Sequence, residues 1–487
     1  MANSISETSD KSTDDFKIKP TISLITMVSL LGTTIIGSGI FMTPGSILNS
    51  VGSIGMFFSN WVLCAIIAMS CALSYLELAL LIRESGGEYA FSLRAYGDYY
   101  AFIVMCGKVL ISKPGALLLN VYTFSEYFIA LLNPAPCESS DYQKKCLAFC
   151  VLVIAALINI FSVKLANKVT NIFFYAKILV IIIIIIFGLI QLISYGKTGN
   201  FADPFSGSST EWTAYSVALY SGMWSFDGWN QLAYVTEELI NPEKNYPIAV
   251  FTAIPLVGIL YILTNIAYLT VLTPTEIIHG SAVATTFAYR TLGASMAWIV
   301  PVGVVCSTFG TATANLFTSG RMTNVGSRRS HLPKVISYID VNRYTPSLAI
   351  SFNCLMAIIF LIPDSSSFST ILDYFSFTTW IFYGTSCLAV VVLRYKAPYK
   401  DMKRPYKVWL VFPVFSFIIA TYLVFAPIIQ EFKMGYVYVV VLLLGGSIFY
   451  VPVHVFQVTW FDGPMNRITL FLQNTLQLAP PKLRNKI

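Results

Sequence analysis

The sequence predicts an all-α polytopic membrane protein: twelve membrane-spanning helices, the first and sixth broken near their middle, with spans 1–5 and 6–10 forming two inverted repeats. Three observations carry this. Of the 487 residues, 56% are hydrophobic and only 11% charged, and mean hydropathy is +0.69, more apolar surface than a soluble core needs. Apolar runs long enough to cross roughly 30 Å of hydrocarbon recur along the whole chain. Glycine-centred interruptions fall at corresponding places in the first and sixth runs, Gly37-Ser38-Gly39 and Asp227-Gly228.

The spans run roughly 22–48, 55–82, 99–132, 146–162, 168–194, 213–240, 247–272, 297–325, 345–362, 368–393, 406–429 and 434–458. Polar residues interrupt the third and sixth. The chain therefore divides into a cytosolic segment 1–20, the first repeat 21–195, the second repeat 196–395, two added spans in 396–458, and a cytosolic tail 459–487. The first twenty residues lack the positive-apolar-small pattern of a cleaved signal. The tail is amphipathic and then basic, suited to the membrane surface.

Loop charges set the orientation. With the N-terminus cytosolic, 23 of the 31 Lys and Arg fall on the cytosolic side, 5 outside, and Lys108, Lys113 and Lys177 within spans. That is a strong positive-inside bias. The formal charge of +7 is thus a matter of topology, and a nucleic-acid partner has nothing to support it. Both termini are expected in the cytosol.

The first break lies in Thr34-Ile35-Ile36-Gly37-Ser38-Gly39-Ile40-Phe41, followed by Pro44-Gly45. Each Gly costs about 1 kcal/mol of helix stability against Ala. In a bilayer, backbone that leaves the helix must be buried in protein or line a wet cavity. A second half-helix starting there would offer free N–H groups and a positive dipole end to an anion. Close helix packing is the other reading of these glycines. The sixth span holds Trp224-Ser225-Phe226-Asp227-Gly228-Trp229-Asn230. An ionisable residue at that depth points to function, against the plainer reading of an Asp packed on freed backbone ends. Five spans separate the two breaks, so the halves enter the membrane from opposite sides. That pattern points to a transporter site near the midplane. Lys177, early in span five, either snorkels to the headgroups or stands as a fixed ammonium beside the first break.

Other chemistries find little support. The nine cysteines, Cys64, Cys71, Cys106, Cys137, Cys146, Cys150, Cys306, Cys354 and Cys387, make no CxxC or Cys/His ligand pattern. No Asn-x-Ser/Thr sequon occurs. His279, His331 and His454 are far apart and near loops, so an intramembrane enzyme lacks its acid–base set. No span repeats acidic rings or a carbonyl filter, as a channel would. No cofactor or metal is expected.

Several motifs carry a resemblance. Gly32-Thr33-Thr34-Ile35-Ile36-Gly37-Ser38-Gly39-Ile40-Phe41, Ser85-Gly86-Gly87-Glu88-Tyr89, Glu237-Glu238-Leu239-Ile240-Asn241-Pro242 and Val325-Gly326-Ser327-Arg328 with His331-Leu332-Pro333 resemble light subunits of heteromeric amino-acid transporters. That family lies within the amino acid–polyamine–organocation superfamily. The chain is most similar to its aromatic-preferring and cystine/dibasic light subunits. The resemblance implies a LeuT-like five-plus-five fold. It implies substrate carboxylate binding at Ser38 and Gly39, and α-amine binding at the Ile35 carbonyl with Trp224 and Asp227. Trp224 matches the aromatic gate, and Asn230, Phe375, Phe377, Thr379 and Trp380 match side-chain pocket positions. Lys177 matches the lysine standing where sodium-coupled relatives bind a cation. Cys137 matches the cysteine that joins a single-pass glycoprotein heavy subunit, here of rBAT type, although a loop disulfide with Cys146 competes.

There are departures. Asp227 replaces the glycine of the large-neutral light subunits, and Thr379 replaces their asparagine. With Trp224, Phe226, Trp229, Phe375 and Phe377 read as surroundings, the expected substrates are aromatic and other neutral L-amino acids. The expected function is sodium-independent amino-acid exchange across the plasma membrane by alternating access. A cystine/dibasic exchanger and a cation-coupled symporter are the alternatives.

Overall fold

The computed structural model describes residues 20–132, 141–196, 199–280, 282–343, 345–362, 368–450 and 462–480. The chain is almost wholly helical. Its first part comprises α1 (Leu24–Ile35), α2 (Gly39–Met42), α3 (Pro44–Val51), α4 (Ile54–Ile82), α5 (Glu88–Tyr96) and α6 (Asp98–Gly107). A π-helical segment, Lys108–Ser112, joins α6 to α7 (Lys113–Leu132), and α8 (Asp141–Phe161) and α9 (Val163–Tyr195) follow. Then come α10 (Ala214–Ser225), a 3₁₀ stretch (Gln231–Glu238), α11 (Pro242–Val271), α12 (Pro274–His279), α13 (Val283–Leu292) and α14 (Ile299–Arg328). The chain ends in α15 (Ser347–Leu361), α16 (Phe368–Tyr395), α17 (Val411–Gln430), α18 (Met434–Gly445), α19 (Ser447–Tyr450) and α20 (Asp462–Leu476).

Among the described residues, nine helical segments are long and apolar enough to cross a membrane, and α15 and α18 are shorter apolar helices. The chain is thus a multi-pass membrane protein. Polar residues begin several of these helices where a cap is needed. Ser23, Ser53 and Ser162 each accept a hydrogen bond from the amide three residues on, opening α1, α4 and α9.

Both breaks predicted from glycine are present, with differences in extent. The first span falls into three pieces rather than two half-helices, because Thr43-Pro44 interrupts the chain again four residues after Gly39. The sixth stops as an α-helix at Ser225 and resumes only as the tighter 3₁₀ form. The eleventh expected span is helical only from Val411, the start of α17, instead of from near 406. The segment before it is held by a buried clamp: Glu77, fully buried, takes Arg394, Arg404 and the Val408 amide.

The described part of the tail packs on the α14–α15 connection. Strand β1 (Ile339–Asp340), in the connection from α14 to α15, pairs antiparallel with β2 (Leu478–Ala479), and Leu472 packs on the cluster around Val335 and Ile336. Leu470 and Phe471 remain exposed.

Candidate functional site

The two breaks interlock, and this is what their glycines permit. A Cβ on Gly39 would lie 2.4 Å from the Ser225 Cα, and one on Gly228 would lie 2.7 Å from the Thr34 carbonyl carbon. Gly228 also has φ +117°, a backbone that other residues rarely adopt. Thr43 Oγ1 bonds Ser225 Oγ at 2.8 Å across the junction. Tyr261 of α11 reaches both breaks, its hydroxyl 2.8 Å from the carbonyls of Ile35 and of Ser225. The Ile35 carbonyl, expected to meet a substrate amine, therefore already faces the Tyr261 hydroxyl.

Beside the breaks lies a small polar cavity, lined by Lys108, Ser112, Lys113, Ala116, Asp227, Asn230, Gln231, Tyr234, Asn315, Phe375, Thr379 and Tyr383. It holds about 250 Å³ between its atoms, but only about 10 Å³ is wide enough for the centre of a water molecule. That is room for about one water, so no amino acid enters without movement. The helices give the cavity two poles. Along α16 the lining residues come in the order Phe375, Thr379, Tyr383, one per turn. Along the third span they run from Ala116 back to Lys108, and along the sixth from Asp227 to Tyr234. One pole is Phe375 and Ala116; the other is Lys108, Tyr234 and Tyr383.

The helical period separates the predicted pocket residues. Phe375 and Thr379 share one face of α16, and Thr379 Oγ1 lies 3.1 Å from Ser112 Oγ. Phe377 is two residues from Phe375, on the far side of the helix, and packs on Tyr436 with centroids 4.9 Å apart. Trp380 packs in the main core against Tyr383. Neither lines the cavity. The aromatic surroundings need the same correction. Phe226 packs on Trp61 and Tyr261, and Trp229 on Tyr75 and Tyr383, and neither lines the cavity. The wall is consequently more polar than the expected aromatic pocket.

Ser38, Gly39 and Trp224 stand next to the cavity without lining it. The Trp224 indole Nε1 donates to Ser38 Oγ at 3.2 Å, and its ring meets Phe375 edge-on at 5.0 Å. Trp224 thus stands as a partition between the first break and the Phe375 pole. Asp227 is half-buried and faces the cavity, its Oδ1 accepting the Tyr383 hydroxyl at 2.6 Å.

Lys177 is fully buried, and its snorkelling alternative does not hold. Its Nζ lies 2.8 Å from the Thr33 carbonyl, 2.5 Å from Ile36, 3.2 Å from Ser307 and 3.1 Å from Thr311 Oγ1. Four oxygens from α1, its unwound end and α14 surround one ammonium, which has three protons to share among them. Such a set of oxygens suits a small hard cation equally well. Here the cation is part of the chain.

Cys137 lies outside the described residues. Cys146 is exposed and sits within α8, not at its start. Sequence reading missed Lys108, Lys113, Glu88, Asn315 and Tyr383. The available sign for the two lysines was their charge inside an apolar span. Lys108 pairs with fully buried Glu88, and Lys113 lies 3.9 Å from the centre of the Tyr234 ring.

Comparison with known proteins gives the family. The amino acid permease family matches residues 22–450. The chain is 39% identical to the b(0,+)-type amino acid transporter 1 of Mus musculus over 478 residues, 97% of each chain. It is 35% identical to the large neutral amino acids transporter small subunit 2 of Mus musculus over 482 residues, 96% of this chain and 88% of that one. It is 34% identical to the cystine/glutamate transporter of Homo sapiens over 467 residues, 95% and 91% of the two chains. The matched stretch takes in both interlocked breaks, the Lys177 cage and the whole cavity: the chain belongs to the amino acid permease family.

Proposed function

We propose that this chain is the light subunit of a sodium-independent amino-acid exchanger of the plasma membrane. We place the chain in twelve spans of a LeuT-like five-plus-five arrangement with both termini cytosolic; the interlocked breaks in the first and sixth spans support this reading. The observation that carries the reading is Lys177. A cation-coupled carrier needs a cation that leaves; an ammonium held by Thr33, Ile36, Ser307 and Thr311 stays. Without a released ion to drive a net cycle, return of the carrier is coupled to a second amino acid. The symporter alternative loses its ion site.

Ser38 and Gly39 would take the substrate carboxylate at the head of α2 once Trp224 swings from Ser38, and Asp227 would attract the α-ammonium. Aromatic and other neutral amino acids are the proposed substrates. The cystine/dibasic alternative is favoured by one observation: Asp227 and several polar side chains, rather than Phe226, Trp229 and Phe377, face the cavity. Uptake of labelled phenylalanine, tyrosine, leucine, arginine and cystine by purified protein in liposomes decides between them. Phenylalanine and tyrosine uptake above that of arginine and cystine supports the first reading; the reverse order supports the second.

One relative is named a small subunit, which supports a larger partner here. We assign the intersubunit disulfide to Cys137 and the partner to a single-pass glycoprotein of rBAT type. Cys137→Ser is expected to remove the high-mass band from a non-reducing gel of co-expressed subunits, while Cys146→Ser leaves it. Loss of the band in Cys146→Ser alone would reassign the bond.

A further inference from the structure

A buried ion pair closes the Tyr383 pole of the cavity. Lys108 Nζ lies 3.0 Å from Glu88 Oε1, with the two side chains 2% and 0% exposed. Burying two charges is costly, and well-packed apolar residues would often stabilise a fold as much. Stability alone therefore does not account for the pair. What it joins is more informative. Lys108 opens the π-helical segment of the third span, a form frequent at functional sites. Glu88 opens α5, the short helix between α4 and α6, which is also fastened to the sixth span by the Gly87 amide on the Ala233 carbonyl at 3.1 Å.

The pair is wired to Asp227 through one amide. Asn230 Nδ2 lies 2.9 Å from Glu88 Oε1, 3.1 Å from the Tyr383 oxygen and 3.2 Å from the Tyr234 oxygen. A side-chain amide has two protons, so three acceptors compete for two bonds of similar length. The Tyr383 hydroxyl is the one that donates to Asp227. A group that binds Asp227 thus alters Tyr383, and Tyr383 alters how Asn230 divides its protons.

We propose that Glu88–Lys108 is the latch that keeps the cytosolic end of the cavity shut, and that Asn230 releases it when substrate occupies Asp227. This rests on the exchanger reading. A substrate ammonium on Asp227 displaces the Tyr383 proton donor, whose oxygen then accepts fully from Asn230. With the second Asn230 proton on Tyr234, Glu88 loses a charge-assisted bond, and its pairing with Lys108 carries more of the hold on α5. A hydrogen bond to a charged group is strong enough that its loss shifts such an equilibrium about tenfold. Glu88, Lys108, Asn230 and Tyr383 are positioning residues here; within this network only Asp227 touches substrate.

The test uses the full chain in liposomes with a reporter cysteine, Ala116→Cys, on the cavity wall, labelled from the cytosolic face by a membrane-impermeant charged thiol reagent and corrected for labelling of the native cysteines. Adding phenylalanine is expected to speed labelling about tenfold. Lys108→Met should give that faster rate without substrate. Glu88→Gln/Lys108→Met, which strands no charge, should do the same and covers the case in which the single variant fails to fold. Tyr383→Phe keeps the ring but cuts the link to Asp227, and should abolish acceleration by substrate. Labelling of the double variant at the parent rate, or substrate acceleration that survives Tyr383→Phe, overturns the latch. Absence of exchange by the parent protein would instead remove the exchanger reading, so the two failures are distinct.

Discussion

Lys177→Met is expected to lower exchange at least about a hundredfold while folded protein still reaches the membrane. Methionine nearly matches the lysine stem in volume, so the change removes the ammonium with little loss of packing. The four oxygens it leaves are not equally stranded. Thr311 Oγ1 still donates to the Thr33 carbonyl at 2.9 Å, and Ser307 Oγ lies 3.2 Å from the Ile36 carbonyl. Those bonds preserve the fold of the break. What is lost is the positive charge at its centre, and each buried acceptor left short of a donor costs about 1–3 kcal/mol. Two such losses come to about 2–6 kcal/mol, a range that spans the roughly 2.8 kcal/mol of a hundredfold change. Lys177→Arg should not restore activity, because a planar guanidinium cannot converge on a cage built around one nitrogen. The measurement is exchange per surface-labelled molecule; a Lys177→Met variant that keeps more than a third of the parent rate contradicts this account.

Asp227→Gly is expected to weaken every substrate together, by about tenfold or more, with little change in their ranking. Opposite charges about 4 Å apart are worth roughly 4 kcal/mol at an effective dielectric near 20, before desolvation is subtracted. If desolvation leaves a third of that, about 1.3 kcal/mol, the effect is close to tenfold. The α-ammonium is common to all amino acids, so its loss is shared. The variant also frees the Tyr383 hydroxyl from its carboxylate. Apparent affinities for phenylalanine, leucine and arginine measured side by side check this. Selective loss of arginine, with neutral uptake intact, would show Asp227 reading the side chain and would move the protein to the cystine/dibasic class.

How much of this was legible in the sequence depends on the range of the interaction. The breaks at Gly37–Gly39 and Asp227-Gly228 are local: residues that fit a bilayer helix poorly declare themselves in a few positions. Lys177 was visible as a charge in an apolar run, though its distance from the headgroups was not. The register of α16 was not legible. Phe375, Phe377, Thr379 and Trp380 sit close together in sequence, but only one face of the helix meets the third and sixth spans, and it carries Phe375, Thr379 and Tyr383. Trp229 and Phe226 misled for the same reason, since an unwound turn gives no period from which to read direction. Glu88–Lys108 joins residues from a connecting helix and a π segment, and the pairing of Ile339–Asp340 with Leu478–Ala479 joins residues far apart in sequence. Neither contact has a local sequence pattern to announce it.

Under the proposed function, a resident ammonium replaces a travelling cation and obliges the carrier to exchange. The most direct measurement is phenylalanine uptake into liposomes containing purified protein, loaded or unloaded with internal amino acid, in sodium or in choline medium. The account predicts uptake that rises at least about tenfold with internal amino acid and is the same in both media. Sodium-stimulated uptake into empty liposomes would contradict it.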